Sequence, residues 1–303
     1  MIILILSFIQ GITEFLPVSS SGHLILLPYV VGWQGHSLEI DGILHLGTLF
    51  AVIIYFWKDI VTLVGDFFTF LSKPSKATAK TRQNAYMCFS ILIATIPVVI
   101  AGFFLKRFGI EGIRSSIHII ALSGIFWGGV LWLSDQYASQ KRTLTELNFK
   151  DALIIGIFQI FSLIPGSSRS GMCMMGGRLR NFDRESAARF AFLLAIPAIS
   201  GAFTLIAFDA YRDGVQTPAV ELGAYLGLSF MFGLSAIHFM MRFVMTHSLK
   251  VFGVYRIILG LFTLYFMADL SLLSLFWRNS LYAFTLIILS TFAFTIWRGR
   301  KTK

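Results

Sequence analysis

Long stretches without charge are the feature that most constrains this chain. Three segments, 84–105, 190–208 and 281–297, contain no Asp, Glu, Lys or Arg. Each is close to the roughly 20 residues that a helix needs to cross a hydrocarbon core about 30 Å thick. Only 13% of all residues are charged, about half the share found in soluble domains. The sequence therefore predicts an all-α polytopic membrane protein.

About seven transmembrane helices are predicted along the chain. The predicted spans are 43–57, 84–105, 115–134, 188–210, 219–241, 252–268 and 281–297. A short or interfacial helix is expected at 60–71. We assign residues 1–268 to a membrane core and residues 269–303 to an additional C-terminal transmembrane helix with a basic cytoplasmic tail.

The net charge of +10 is explained by membrane topology rather than by a nucleic-acid partner. The basic residues lie in short loops between apolar segments, above all at 73–82 and 298–303, and the positive-inside rule makes such loops cytoplasmic. Lys106, Arg107 and Arg114 depart from the rule, because the count of spans places them outside. We expect a multi-pass protein that binds the membrane lipid and no nucleic acid.

Two segments of the chain are similar to each other. Residues 10–23 and 159–171 each place a Gln on an apolar helix, followed by a Pro and a Ser-rich turn with Gly near its end. Such internal similarity is typical of membrane proteins built from inverted repeats. Broken backbone is tolerated at membrane depth only inside the protein or beside a wet cavity. We therefore predict two re-entrant helix-turn-helix hairpins, at about 1–32 and 151–177, with opposite orientation.

Gln10 and Glu14 are four residues apart, so a helix places them on one face. A carboxylate in an apolar segment costs about 2.5–3.5 kcal/mol on insertion scales, so it is retained where it is paired or functional. One interpretation makes Glu14 a structural partner of Arg169. The other makes it a metal ligand or a general base, and the pairing is compatible with both.

The first Ser-rich segment follows Pro17 and is expected to open a half-helix. The free N–H groups of a helix N-terminus bind anions readily, although Ser-rich turns are often only N-caps. Taken together with His23 and the second Ser-rich segment, this segment favours a phosphate site. The candidate residues of the first segment are Ser19, Ser20, Ser21 and His23.

The second Ser-rich segment carries Arg169 between apolar half-helices, where an unpaired cation is costly. A planar guanidinium can bind two phosphate oxygens at once, so the segment is predicted to cradle phosphate. Its candidate residues are Gly166, Ser167, Ser168, Arg169 and Ser170. His45 lies early in a predicted span, where lining the cavity and packing are equally good interpretations.

These motifs, in this order, resemble those of the undecaprenyl-diphosphate phosphatase family, bacterial lipid phosphatases linked to bacitracin resistance. Residues 10–14 match its Glu/Gln-x-x-x-Glu motif, and 17–23 match Pro-Val-Ser-Ser-Ser/Thr-Gly-His. Residues 165–173 match Pro-Gly-x-Ser-Arg-Ser-x-x-Thr, except that Cys173 replaces the threonine. The resemblance covers roughly 3–268, so residues 270–303 extend beyond it.

The resemblance implies hydrolysis of undecaprenyl diphosphate to undecaprenyl phosphate and inorganic phosphate. This reaction recycles the lipid carrier for cell-wall synthesis and confers bacitracin resistance. The active site would form where the two hairpins meet, open to the outer, periplasmic face of the bacterial cytoplasmic membrane. The resemblance also implies dependence on magnesium or calcium, which we expect Glu14 to bind. Gln10 is the neutral option at its motif position and would contact the substrate.

For the chemical step, the sequence offers Ser20, His23 or a water molecule as nucleophile. His23 follows Ser20 by three residues, so the start of a helix could bring them together, and imidazole suits proton transfer near neutrality. We favour His23 as acid and base and Ser20 as nucleophile or phosphate ligand, with Glu14 and Arg169 completing the catalytic set. The oligomeric state stays open, with a homodimer among the alternatives.

Two other functions deserve comparison. A transporter or flippase of the lipid phosphate would use the same inverted-repeat cavity, and phosphate release by the purified protein would favour the enzyme. A second superfamily of lipid phosphatases has Ser-Arg-x5-His, but the sixth position after Arg169 is Met175. Its nucleophilic histidine is therefore missing, and we reject that interpretation.

Overall fold

The computed structural model describes residues 1–33, 35–108 and 116–266. Within these ranges the chain is helical throughout its regular structure. The predicted span at 281–297, the basic tail and Arg114 lie outside the described residues.

Eleven α-helices follow one another in the described ranges. They are α1 (Ile2–Phe15), α2 (Ser20–Val31), α3 (Leu38–Tyr55), α4 (Trp57–Ser72), α5 (Ala79–Arg107), α6 (Ile117–Tyr137), α7 (Phe149–Ile160), α8 (Arg169–Leu179), α9 (Arg184–Asp213), α10 (Ala219–Thr246) and α11 (Lys250–Phe266). Short 3-10 turns at Pro74–Lys76, Leu144–Glu146 and Phe161–Leu163 join them.

Five helices, α3, α5, α6, α9 and α10, are long and apolar enough to cross a membrane. They correspond to five of the predicted spans, and α11, with 17 residues, corresponds to a sixth. The helix expected at 60–71 is α4, which continues from α3 after a break at Phe56. The prediction of an all-α polytopic membrane protein is confirmed.

The two predicted hairpins are present as pairs of short helices. Helices α1, α2, α7 and α8 have 14, 12, 12 and 11 residues, or about 16–21 Å at 1.5 Å per residue. Each is shorter than the roughly 30 Å hydrocarbon core, as the prediction of re-entrant hairpins requires. The Ser-rich turns join or precede the second arm of each pair.

The packing of the helices follows the duplication. Helix α1 packs on α10 as α7 packs on α5, while α3 packs on α9 and α6 packs on α11. Along the chain, three of the long helices, α3, α5 and α6, separate the two hairpins. An odd number of spans places the hairpins on opposite sides, as an inverted repeat requires.

Glycines let each hairpin approach its neighbouring span closely. A Cβ on Gly11 of α1 would lie 2.5 Å from the Cβ of Phe232 in α10, and one on Gly156 of α7 would lie 2.5 Å from the Ala94 oxygen in α5. Small residues allow such contacts between membrane helices. Both first arms are thereby fixed against a span.

Buried ion pairs stabilise the C-terminal end of α8, the second arm of the second hairpin. Asp135 of α6 accepts hydrogen bonds from Arg178 at 2.9 Å and from Arg184 at 2.8 Å. In the loop before α7, Arg142 donates to Asp151 at 2.6 Å, and this hydrogen bond raises the pKa of the Arg142 guanidinium. These contacts fix α8, whose residues from Ser170 to Arg178 are all buried.

Candidate active site at the two serine turns

The first serine turn (16–23) and the second serine turn (165–172) share one backbone conformation. Ser19 has φ 74° and Ser168 has φ 70°, in a left-handed region that non-glycine residues seldom adopt. Each serine is the N-cap of the following helix: the Ser19 Oγ accepts from the Gly22 N–H at 3.4 Å, and the Ser168 Oγ accepts from the Gly171 N–H at 3.2 Å. The duplication therefore extends to individual hydrogen bonds.

A second hydroxyl accompanies each cap. The Ser21 Oγ lies 3.4 Å from that of Ser19, and the Ser170 Oγ lies 3.2 Å from that of Ser168. Ser170 also donates to the Leu16 carbonyl at 3.0 Å, across the interface between the turns. The two helix N-termini, each suited to an anion, are thereby joined.

An ion pair completes the contact region between the two serine turns, which we call the junction. Arg169, the first residue of α8, donates through Nη2 to the Glu14 Oε1 at 3.0 Å, and its Nη1 donates to the Ala191 carbonyl at 3.2 Å. The two side chains are 14% and 6% exposed. The Arg169 Nε is buried without a hydrogen-bond partner among the described residues. The predicted pairing of Glu14 with Arg169 is present. The Nε of the guanidinium can still donate a hydrogen bond.

Three further side chains surround the Glu14 carboxylate. Its Oε2 accepts from the Gln10 Nε2 at 3.1 Å and from the Ser20 Oγ at 2.8 Å. The His45 Nε2 lies 3.7 Å from the same oxygen. Gln10 and Glu14 share a helix face as predicted, and His45 faces this carboxylate.

The ring nitrogens of His23 hydrogen-bond to groups other than Ser20, although the start of the helix could have brought the two residues together. The His23 Nδ1 lies 2.7 Å from the Ser19 carbonyl, one helical turn earlier, and its Nε2 lies 2.6 Å from the Tyr255 hydroxyl. A carbonyl only accepts hydrogen bonds, so in neutral His23 the proton is on Nδ1, and Nε2 accepts from Tyr255. The Ser20 hydroxyl instead donates to the charged carboxylate of Glu14, the stronger acceptor.

Two residues that were predicted to contact phosphate, Ser167 and Gly166, have structural roles. Ser167 is fully buried and its Oγ donates to the carbonyls of Phe161 at 2.7 Å and Ile164 at 2.6 Å. Its hydroxyl therefore closes the loop in this structure. Gly166 has φ 87°, and a Cβ there would lie 2.4 Å from the Ile120 carbonyl oxygen, so glycine is required for packing.

Cys173 lies one helical turn after Arg169 in α8. It is buried, and its Sγ donates to the Gln159 Oε1 at 3.5 Å. Gln159 also donates to the Ala94 carbonyl at 3.4 Å. In this structure the cysteine contacts the first arm of its own hairpin.

Two residues of α11 that were not predicted from the sequence contact the serine turns. Tyr255 contacts the His23 imidazole, and Arg256 donates to the Gly166 carbonyl at 2.9 Å. Arg256 is a charged residue within an apolar span, which is by itself a sign of function. Tyr255 gives no comparable signal, because aromatic residues occur throughout these helices.

The junction offers few ligands for a divalent cation. The described residues contain no group of three or more His, Cys, Asp or Glu that could hold a metal ion. The Gln10 Oε1 is buried without a hydrogen-bond partner in that part of the chain, and it belongs to the side chain that contacts Glu14. One amide oxygen and one carboxylate fit a hard cation that takes its other ligands from phosphate and water.

The chain was compared with known proteins. A family model described as bacitracin resistance protein BacA matches residues 3–262. A protein of Desulforudis audaxviator named undecaprenyl-diphosphatase is 40% identical over 258 residues, covering 85% of this chain and 94% of the relative. A protein of Roseobacter denitrificans with the same name is 37% identical, covering 86% of this chain and 96% of the relative. Undecaprenyl-diphosphatase 2 of Stutzerimonas stutzeri is 39% identical, covering 85% and 94%.

Proposed function

The chain belongs to the bacitracin resistance protein BacA family, and we propose that it removes the terminal phosphate of undecaprenyl diphosphate at the junction of its serine turns. It is a membrane phosphatase that forms undecaprenyl phosphate and inorganic phosphate, a reaction that accounts for a role in cell-wall synthesis and bacitracin resistance. The observation that carries the location of the site is the Glu14–Arg169 ion pair, which joins the two hairpins. The Ser20 hydroxyl on the same carboxylate supplies a nucleophile.

Binding relies on the two helix N-termini and on Arg169. The guanidinium is held by Glu14 and by the Ala191 carbonyl, so it is oriented before the substrate arrives. Oriented donors stabilise the charge that develops on the phosphoryl oxygens. The caps at Ser19 and Ser168 keep the two turns in this conformation.

In the chemical step, the Ser20 Oγ attacks the terminal phosphorus, and its proton passes to the Glu14 Oε2, 2.8 Å away. The bond from phosphorus to the bridging oxygen breaks, and undecaprenyl phosphate leaves. Water then attacks the phosphoserine, the bond from phosphorus to the Ser20 Oγ breaks, and the proton held by Glu14 returns to this oxygen as inorganic phosphate is released. A nucleophilic hydroxyl requires a base within hydrogen-bond reach, and the contact with Glu14 favours this residue over His23. His23, held by Tyr255, is the second proton-transfer group.

Magnesium or calcium is proposed as the cofactor. Glu14 and Gln10 would hold it together with the diphosphate oxygens, because hard cations prefer oxygen ligands. The ion would neutralise charge on the phosphate oxygens.

The proposed location is the bacterial cytoplasmic membrane, with the site open to the periplasmic face. The support is the cluster of basic residues in 73–82, which the positive-inside rule assigns to the cytoplasm. With this loop inside, the first hairpin enters from outside.

Phosphate release from undecaprenyl diphosphate by purified protein in detergent tests the enzyme. Detergent removes the two compartments that a transporter needs, so release without them supports hydrolysis, and its absence would favour the flippase. Brief reaction with labelled substrate should trap a phosphoserine at Ser20, and the label should be lost in Ser20→Ala but kept in Ser235→Ala, a change on α10. A phosphohistidine at His23 would contradict the assignment.

A further inference from the structure

Arg256 is a buried cation without a counter-charge among the described residues. It lies in α11 and is 1% exposed. Its Nη2 donates to the Gly166 carbonyl at 2.9 Å, whereas Nε and Nη1 have no hydrogen-bond partner within the described ranges. Isolated charges are strongly disfavoured in an apolar interior, so the position calls for an anion.

Arg178 shows how this protein satisfies a buried arginine where the role is structural. It is 0% exposed, against 1% for Arg256, and its Nε donates to the Asp135 carboxylate at 2.9 Å. Its other nitrogens donate to carbonyls, among them those of Ala138 and Ser139. Arg169 likewise has Glu14 as its partner. Arg256 differs from both, because its one hydrogen-bond partner among the described residues is the Gly166 carbonyl.

Arg256 lines a small recess between helices. The walls come from both serine turns and from α6 and α11, including Ser19, Gly22, Gly166 and Gly124. A Cβ on Gly171 would lie 3.3 Å from the Arg256 Nη1, which places this nitrogen beside the first turn of α8. The N-termini of α2 and α8 and an uncompensated guanidinium thus meet at one recess.

We infer that Arg256 binds one phosphoryl group of the diphosphate while Arg169 binds the other. This inference rests on the proposed function and extends it, because it gives the headgroup two cationic ligands from different helices. The ligand chemistry is a phosphoryl oxyanion. The Glu14 carboxylate already balances Arg169, so the charge of Arg256 is the one that the substrate balances. The enzyme would thereby distinguish a diphosphate from a monophosphate.

The test is direct binding of methylenediphosphonate, a diphosphate analogue that is not hydrolysed, to the purified full chain in detergent with magnesium. Four proteins are compared by titration calorimetry: wild type, Arg256→Gln, Arg256→Lys and the control Arg242→Gln, which removes an exposed arginine of α10. Gln still offers a donor to the Gly166 carbonyl but removes the charge. Lys keeps the charge and loses the planar donor set.

The dissociation constant should rise about ten-fold or more in Arg256→Gln, as expected for loss of a charge-assisted hydrogen bond. It should rise about three-fold in Arg256→Lys, and it should not change in Arg242→Gln. Arg256→Gln should also raise KM for undecaprenyl diphosphate. Wild-type affinity in either Arg256 variant would overturn the inference. If Arg256→Gln does not fold, the Lys variant decides alone.

A parallel titration with inorganic phosphate separates the two sources of a phosphoryl group. Weaker binding of phosphate with unchanged binding of methylenediphosphonate in Arg256→Gln would overturn the inference, because Arg256 would then serve only free phosphate. The proposed function fails separately, if the wild-type protein releases no phosphate from the lipid. The binding experiment still tests Arg256 in that case.

Discussion

The two serine turns have the same backbone and carry different chemistry. Ser19 corresponds to Ser168 and Gly22 to Gly171, with the same positive φ and the same cap hydrogen bond. The next position along each turn differs, since Ser20 of the first turn corresponds to Arg169 of the second. Inside the hairpins, Glu14 corresponds to Leu163, and His23 corresponds to Met172.

This difference shows how a duplicated scaffold becomes an asymmetric site. The residues that fix the backbone are kept in both copies, because each helix N-terminus needs its cap. The residues that face the junction have diverged: the first hairpin supplies a carboxylate, a hydroxyl and an imidazole, and the second supplies a cation. The buried glutamines diverge too, since Gln10 donates to Glu14 and Gln159 donates to the Ala94 carbonyl.

The strongest test of this asymmetry changes the corresponding residues Glu14 and Leu163. Glu14→Gln keeps the shape but removes the proposed base, so kcat/KM for undecaprenyl diphosphate should fall roughly a thousand-fold. The matched change Leu163→Met should leave kcat/KM close to wild type, because it conserves volume. An active Glu14→Gln variant that keeps its metal dependence would contradict both proposed roles of Glu14.

The next test concerns the cation of the second turn. Arg169→Lys should lower the rate about a hundred-fold or more, because an ammonium cannot reproduce the planar donors. Arg242→Lys, on the exposed side of α10, serves as the control. Turnover near that of the wild type in Arg169→Lys would show that a point charge is sufficient at this turn.

A smaller effect is expected at Tyr255, which hydrogen-bonds to His23 of the first turn. Tyr255→Phe removes the hydrogen bond to the His23 Nε2, and kcat should fall about ten-fold, as expected for a misplaced proton-transfer group. Because Tyr255 acts through His23, the double variant with His23→Ala should be no slower than His23→Ala alone. Additive losses would mean that Tyr255 acts independently.

The smallest effect tests what the turns share. Ser19→Ala and Ser168→Ala each remove one N-cap, and each should lower the free energy of unfolding by about 1 kcal/mol. Thermal unfolding in detergent, measured on both variants, checks the equivalence. A much larger loss at one turn would show that the two scaffolds are not equivalent.

Much of the fold could be predicted, because its signals are local. The length of an apolar stretch gives a span, and a Gln, a Pro and a run of serines in 10–23 and 159–171 give a hairpin. The Glu14–Arg169 pair could also be anticipated, since two opposite charges in apolar hairpins require each other. The cap role of Ser19 and Ser168 is likewise a local property of a helix start.

Only the tertiary structure decided which side chains meet at the junction. The sequence by itself placed Ser20 and His23 three residues apart, but the packed hairpins bring Ser20 to Glu14, and α11 brings Tyr255 to His23 from 232 residues away. Such contacts depend on how α11 packs against α6 and on which way each side chain points. No local pattern encodes that geometry, whereas apolar length and turn residues, which fixed the spans and hairpins, act within a few residues of the chain.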